Sequence, residues 1–169
     1  MTLALALVIG ASLPGSTAAL AAGEDAERAT TLVRMLRFVA LPSATSAGDL
    51  MIAVVDNQAL AAALRDAAAT HRPGGRSITV VHVASVRALA DVDAAVVVLG
   101  VEAAPLARQL SEQGILTVGD GEWSDANGGL VLSLAADGDR HRFSANPSAA
   151  ARAGVTLSSR HLRLAQIAN

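Results

Sequence analysis

The sequence contains no cysteine, no tyrosine and no lysine, and its only aromatic residues are Phe38, Trp123 and Phe143. Without cysteine there are no disulfides, no thiolate metal sites, no thiol nucleophile and no attachment point for a lipoprotein anchor. All 13 basic side chains are arginines, set against 15 carboxylates for a formal net charge of −2. Nucleic-acid binders carry a basic excess that displaces counterions, so this balance speaks against one. With so few rings, the core has to be assembled from Val, Leu, Ile and Ala. These are plentiful: 52% of residues are hydrophobic and 17% charged, the balance of a folded domain and not of a disordered chain. A length of 169 residues suits one domain.

From Thr2 to Gly23 no side chain is charged, and Leu3 to Ile9 form a compact apolar run. Pro14 to Thr17 break it, and the small-residue site Ala19-Leu20-Ala21 follows. Apolar core, breaker and A-x-A in that order are the layout of a secretory signal peptide, with cleavage expected after Ala21. No Arg or Lys precedes the apolar run, so the amino terminus alone supplies its positive charge. A membrane-spanning helix would have to accommodate Pro, Gly, Ser and Thr in its second half. A buried core helix is the other reading, but charge begins abruptly at Glu24 and Asp25. Residues 1–21 are therefore expected to be removed on export, leaving one periplasmic domain over 22–169.

Beyond that point the periodicity alternates between strand and helix. Glu24 to Leu41 reads as an amphipathic helix stopped by Pro42, with acidic residues in its first turn. Leu50 to Val55 is a continuous apolar run closed by Asp56, as in a strand buried on both faces of a parallel sheet. Helix 58–70, strand Ile78 to Val83, a short helix at 85–90 and strand Ala94 to Leu99 follow. Helix 103–112, capped by Gly114, then leads into strand Ile115 to Val118. The pattern implies βαβ units. Leu130 to Leu134 and Arg140 to Ala145 read as a hairpin around an Asp-Gly turn. Helices over 147–153 and 159–168 are expected to close the chain, the latter capped by Ser158. The fold class is α/β: a mostly parallel sheet flanked by helices, with a C-terminal hairpin and closing helices.

Motifs for chemistry are scarce. There is no phosphate-binding G-x-x-x-x-G-K-[ST] loop, and Gly119, Gly121, Gly128 and Gly129 do not form G-x-G-x-x-G between strand and helix. Asp120, Glu122 and Asp125 could offer oxygen ligands to a hard cation, but the spacing lacks a terminal glutamate, and a solvated loop explains them better. Asp56 ends a strand, where turn chemistry accounts for it. His71, His82, His141 and His161 form no paired-ligand motif, and no serine sits in a nucleophile elbow. The expectation is a binding protein, not an enzyme, with no metal and no cofactor. The densest charge is basic: Arg140 and Arg142 alternate on one strand face, with Arg152, Arg160 and Arg163 downstream.

Four blocks in the second half carry a resemblance: LTVGD at 116–120, GGLV at 128–131, RFSAN at 142–146 and AARAGVTLSSRHLRLA at 150–165. With MLRFVALP at 35–42 and Gly75-Arg76 before the strand at 78–83, they resemble the YfiR family over nearly all of the mature chain. Leu41 stands where the family commonly has tryptophan, Ser144 and Ala145 replace a glutamate and an apolar residue, and the cysteines of some members are absent. The resemblance implies an exported α/β protein, able to dimerise, that inhibits a membrane diguanylate cyclase by binding its periplasmic sensor domain. The family-pattern positions Phe38, Pro42, Asp120, Gly128, Gly129, Phe143, Asn146, Gly154, Ser158, Ser159, Leu162 and Leu164 read as structural. Gly128 and Gly129 suit a tight entry to the hairpin, Asn146 a strand-to-helix turn, and Leu157, Leu162 and Ile167 the apolar face of the last helix. Partner contact is expected from Arg140, Arg142, Arg160 and Arg163. The alternative is a small-ligand module serving a histidine kinase or outer-membrane receptor, with a crevice around Asp56, Gly100 and Asp120.

Overall fold

Val and Ile crowd the runs 50–55 and 96–99, and both become central strands of a seven-stranded sheet in the computed structural model. The structure describes residues 15–42, 48–92, 94–100, 103–121, 129–137, 140–159 and 166–167. Two residues, Val39–Ala40, form β1. The sheet is built from β2 (Leu50–Val55), β3 (Ile78–Val83), β4 (Val96–Leu99), β5 (Leu116–Asp120), β6 (Leu132–Asp137) and β7 (Arg140–Ala145). β8 (Thr156–Leu157) pairs with β1, and β9 (Gln166–Ile167) forms the sheet edge beyond β7. The strand order is β3-β2-β4-β5-β6-β7-β9. β2 to β6 run parallel, β7 turns back antiparallel to β6, and β9 lies parallel to β7.

The strand period of two splits the core. Ile52 and Val54 of β2 and Val96 and Val98 of β4 face α1 (Gly15–Met35) and α2 (Gln58–Thr70), in a cluster with Leu32, Val33, Leu60 and Leu64. Ala53, Val55, Val97 and Leu99 face the other way, onto Ala107 and Leu110 of α3 (Ala104–Glu112) and Leu89 of a 3-10 turn, Val86–Asp91. The result is three layers, helix on sheet on helix. α4 (Pro147–Arg152) adds Ala149 and Ala150 to the first cluster and touches α3.

Two expectations are corrected. The first helix runs Gly15–Met35 and not 24–41, so it begins within the expected export segment and has no acid in its first turn. Leu36–Phe38 tighten into a 3-10 turn, and the chain then extends so that Val39 and Ala40 pair with Leu157 and Thr156. The expected last helix does not run to 168: Ser159 is helical, 160–165 lie outside the described residues, and Gln166–Ile167 form β9 with Ile167 opposite Ala145, while Leu157 lies in β8. At 39–40, 156–157 and 166–167 an unpaired strand edge overrides local helical preference, because open backbone donors and acceptors are satisfied by pairing.

Candidate functional site

β2 and β4 are adjacent, yet the helices that follow them leave on opposite faces, α2 on the first and α3 on the second. In open α/β sheets this reversal leaves a crevice outside the carboxyl ends of the strands. At its rim the chain leaves β2 through Asp56, whose φ of 55° lies in the left-handed region that Asp tolerates. The Asp56 N–H donates to Val83 O at 2.9 Å, tying the ends of β2 and β3.

Asn57 follows and does two things. Its side-chain oxygen accepts from Leu60 N–H at 2.9 Å, capping α2. Its Nδ2 donates to Asp120 Oδ2 at 3.2 Å, across the end of β4. Asp120, the last residue of β5, also meets the Arg28 guanidinium at 3.4 Å, and Arg28 in turn meets Asp25 at 3.7 Å. Both basic and acidic partners are mostly shielded, with Arg28 22% and Asp120 14% exposed. Burial holds the Asp25 carboxyl above its usual 3.8; Arg28 opposes that rise, and the charges of Asp120 and Glu24 add to it. Arg28 Nε is buried without an acceptor, a standing cost of about 1–3 kcal/mol. Further along α1, Glu27 approaches His141 Nδ1 of β7 at 3.9 Å.

These contacts clamp α1 over the edge. Of the crevice expected around Asp56, Gly100 and Asp120, the Asp120 side is engaged by Asn57 and Arg28, while a Cβ added at Gly100 would meet open space. Among the described residues, no group of three or more His, Asp or Glu side chains converges as metal ligands would. The arrangement orders a helix and holds charge.

Other positions of the sequence pattern come together elsewhere. The Ser158 N–H donates to Phe38 O at 3.0 Å, and a Cβ added at Gly154 would sit 3.5 Å from Pro42. The 35–42 and 154–158 blocks, distant in sequence, are thus zipped together through β1 and β8. Gly154 takes φ 63° past the end of α4, and Asn146 caps that helix by accepting from Ala149 N–H at 2.9 Å. A Cβ at Gly129 would fall within 2.1 Å of the Arg108 backbone nitrogen, so glycine there reflects close approach to α3. Phe143 pairs with Leu134 and packs on the first core cluster. Arg140 and Arg142 hold register positions opposite Asp137 and Ala135, on the face away from His141 and Phe143. Arg142 and Ser159 are exposed. Gly128, Arg160, Leu162, Arg163 and Leu164 lie outside the described residues, as do Glu122 and Asp125. Sequence reasoning missed Arg28, Asp25 and Asn57. Only Asn57 carried a signal, as a capping residue directly before an alanine-rich helix.

Fold and site together define a three-layer α/β domain whose N-terminal helix is tied to the end of β5 through Arg28 and Asp120. The YfiR/HmsC-like family model matches residues 25–166, and the chain belongs to that family. Membership points to a periplasmic regulator of cyclic-di-GMP signalling. Among solved structures the chain is similar to a conserved domain protein from Vibrio cholerae O1 biovar El Tor, at 15% identity and a TM-score of 0.59. That likeness covers 83% of this chain and 60% of that protein, and it shows the fold. No curated protein matches the chain in sequence.

Proposed function

We propose that the chain is an exported regulatory binding protein that inhibits a membrane diguanylate cyclase through that enzyme's periplasmic sensor domain, lowering cyclic-di-GMP output. The observation that carries this reading is the family match over residues 25–166. It begins just past the expected cleavage site at Ala21. Residues 19–24 of α1 are all exposed, and among its described side chains the first that is fully buried is Ala29. A mature terminus at Ala22 would therefore lie on an exposed stretch of that helix. No helix among the described residues is long and apolar enough to cross a membrane.

Inhibition requires only that the regulator bind one arrangement of the sensor more tightly than the other, shifting the cyclase towards its inactive state. The candidate contacts in this reading are Arg140 and Arg142 of β7, together with Arg160 and Arg163. The test is a C-terminally tagged full chain expressed in its host bacterium and cross-linked to membranes. The reading predicts osmotic-shock release, a mature terminus at Ala22, and capture of an inner-membrane protein with a periplasmic sensor and a cytoplasmic cyclase domain. Capture of a histidine kinase or outer-membrane receptor would keep export and discard the cyclase. An unprocessed chain in the cytoplasm would overturn the reading.

A further inference from the structure

Between β3 and β4 the crossover holds only the 3-10 turn Val86–Asp91, where a parallel connection ordinarily holds a full α-helix. A single short turn cannot cover the sheet as far as α3. The uncovered strip is a groove of about 640 Å³, within the size range of small-molecule sites. Its floor is Val97 of β4 with Ala94 just before that strand and Ile115 just before β5, and its walls include Leu89, Leu106 and Leu110. These residues place it at the amino ends of β4 and β5, away from the Asp120 cluster.

The polar rim is one-sided. Arg87 stands on the turn, with Gln109 on α3 and Gln113 at its C-terminal cap. None of the described residues that line the groove is acidic. Arg87 is exposed and makes no hydrogen bond or ion pair among the described residues. A carbon-lined cleft favours hydrocarbon. A guanidinium at its mouth, flanked by amide donors, favours a carboxylate head. Arg87 at the mouth would repel a cationic head.

We propose that this groove binds an amphipathic carboxylate, an apolar chain ending in a single anionic head. The inference stands apart from the cyclase reading, because binding is measured without any partner.

The test is isothermal titration of the full chain with laurate, and with dodecyltrimethylammonium, which shares the chain length and reverses the head charge. Laurate is expected to bind saturably at one site and to raise Tm with dose, and the cation is not. Arg87→Gln should weaken laurate binding by about tenfold. Ala90→Trp, at an exposed position on the groove, should abolish it. The unliganded Tm of each variant reports that its fold is kept. Equal binding of both amphiphiles, or laurate binding untouched by both substitutions, would overturn the proposal. So would a dimer that Ala90→Trp dissociates and laurate leaves intact, since the groove would then belong to a second copy.

Discussion

Asp120 serves three neighbours with one carboxylate: it accepts from the Asn57 amide, it holds Arg28, and its charge helps to raise the Asp25 carboxyl. Between 3.8 and its raised folded value, Asp25 binds more protons in the folded chain than in the unfolded one. Its contribution to stability is therefore full below 3.8 and is lost as pH rises through the folded value. Thermal unfolding of Asp25→Asn should show a gain over wild type at neutral pH that vanishes on acidification towards 3.8; a gain independent of pH would contradict the assignment. Carboxyl NMR of Asp120→Asn should place the Asp25 titration lower than in wild type. Asn57→Ala loses both a helix cap and the bond to Asp120, and denaturant unfolding should record a cost of about 1–2 kcal/mol. Gly129→Ala forces α3 and the β6 entry apart, and the same measurement should find a loss of about 2–3 kcal/mol. Of these residues, Asp120, Gly129 and Asn146 were legible from the sequence pattern. Arg28 was not, because nothing in its spacing on α1 shows that a strand end 92 positions later lies beneath it.

The strands announced themselves wherever both faces are buried, since β2 and β4 need apolar residues at every position and the sequence supplies unbroken runs. The hairpin was legible from its Asp-Gly turn and alternating strand. Two-residue elements were not: β1, β8 and β9 are defined by the edges they complete, and Val39–Ala40 or Gln166–Ile167 carry no periodicity of their own. α1 is the element on which export and folding meet. Its exposed residues 19–24 make no contribution to the core, and burial begins in earnest at Ala29. A chain starting at Ala22 should unfold at the same Tm as the full chain by calorimetry. A chain starting at Arg34 loses Ala29, Leu32 and Val33 from the first core cluster, along with both clamp contacts, and should fail to show a cooperative transition.

At the scale of the whole molecule, two alanine-rich clusters on either side of one sheet do the work that aromatic residues do elsewhere. The first cluster is the larger, because two long helices cover that face. The second has one helix and one 3-10 turn, which is why the groove opens there. The α/β class and the parallel core were readable because buried strands and alanine-rich helices alternate. The groove was not, because a turn too short to cover a sheet looks in sequence like any short crossover. At the carboxyl edge, the usual place for a ligand in this architecture, Asn57 and Arg28 meet Asp120 and so tie α1 and the start of α2 to the end of β5.

The claim that this chain restrains a cyclase is tested most directly by cyclic-di-GMP in its host. Deleting the coding sequence should raise the intracellular level several-fold. Wild-type chain supplied in trans should restore it, and Arg142→Glu should restore it less well while reaching the same periplasmic amount. An unchanged level on deletion, with the chain present and exported in the parent strain, would contradict the account.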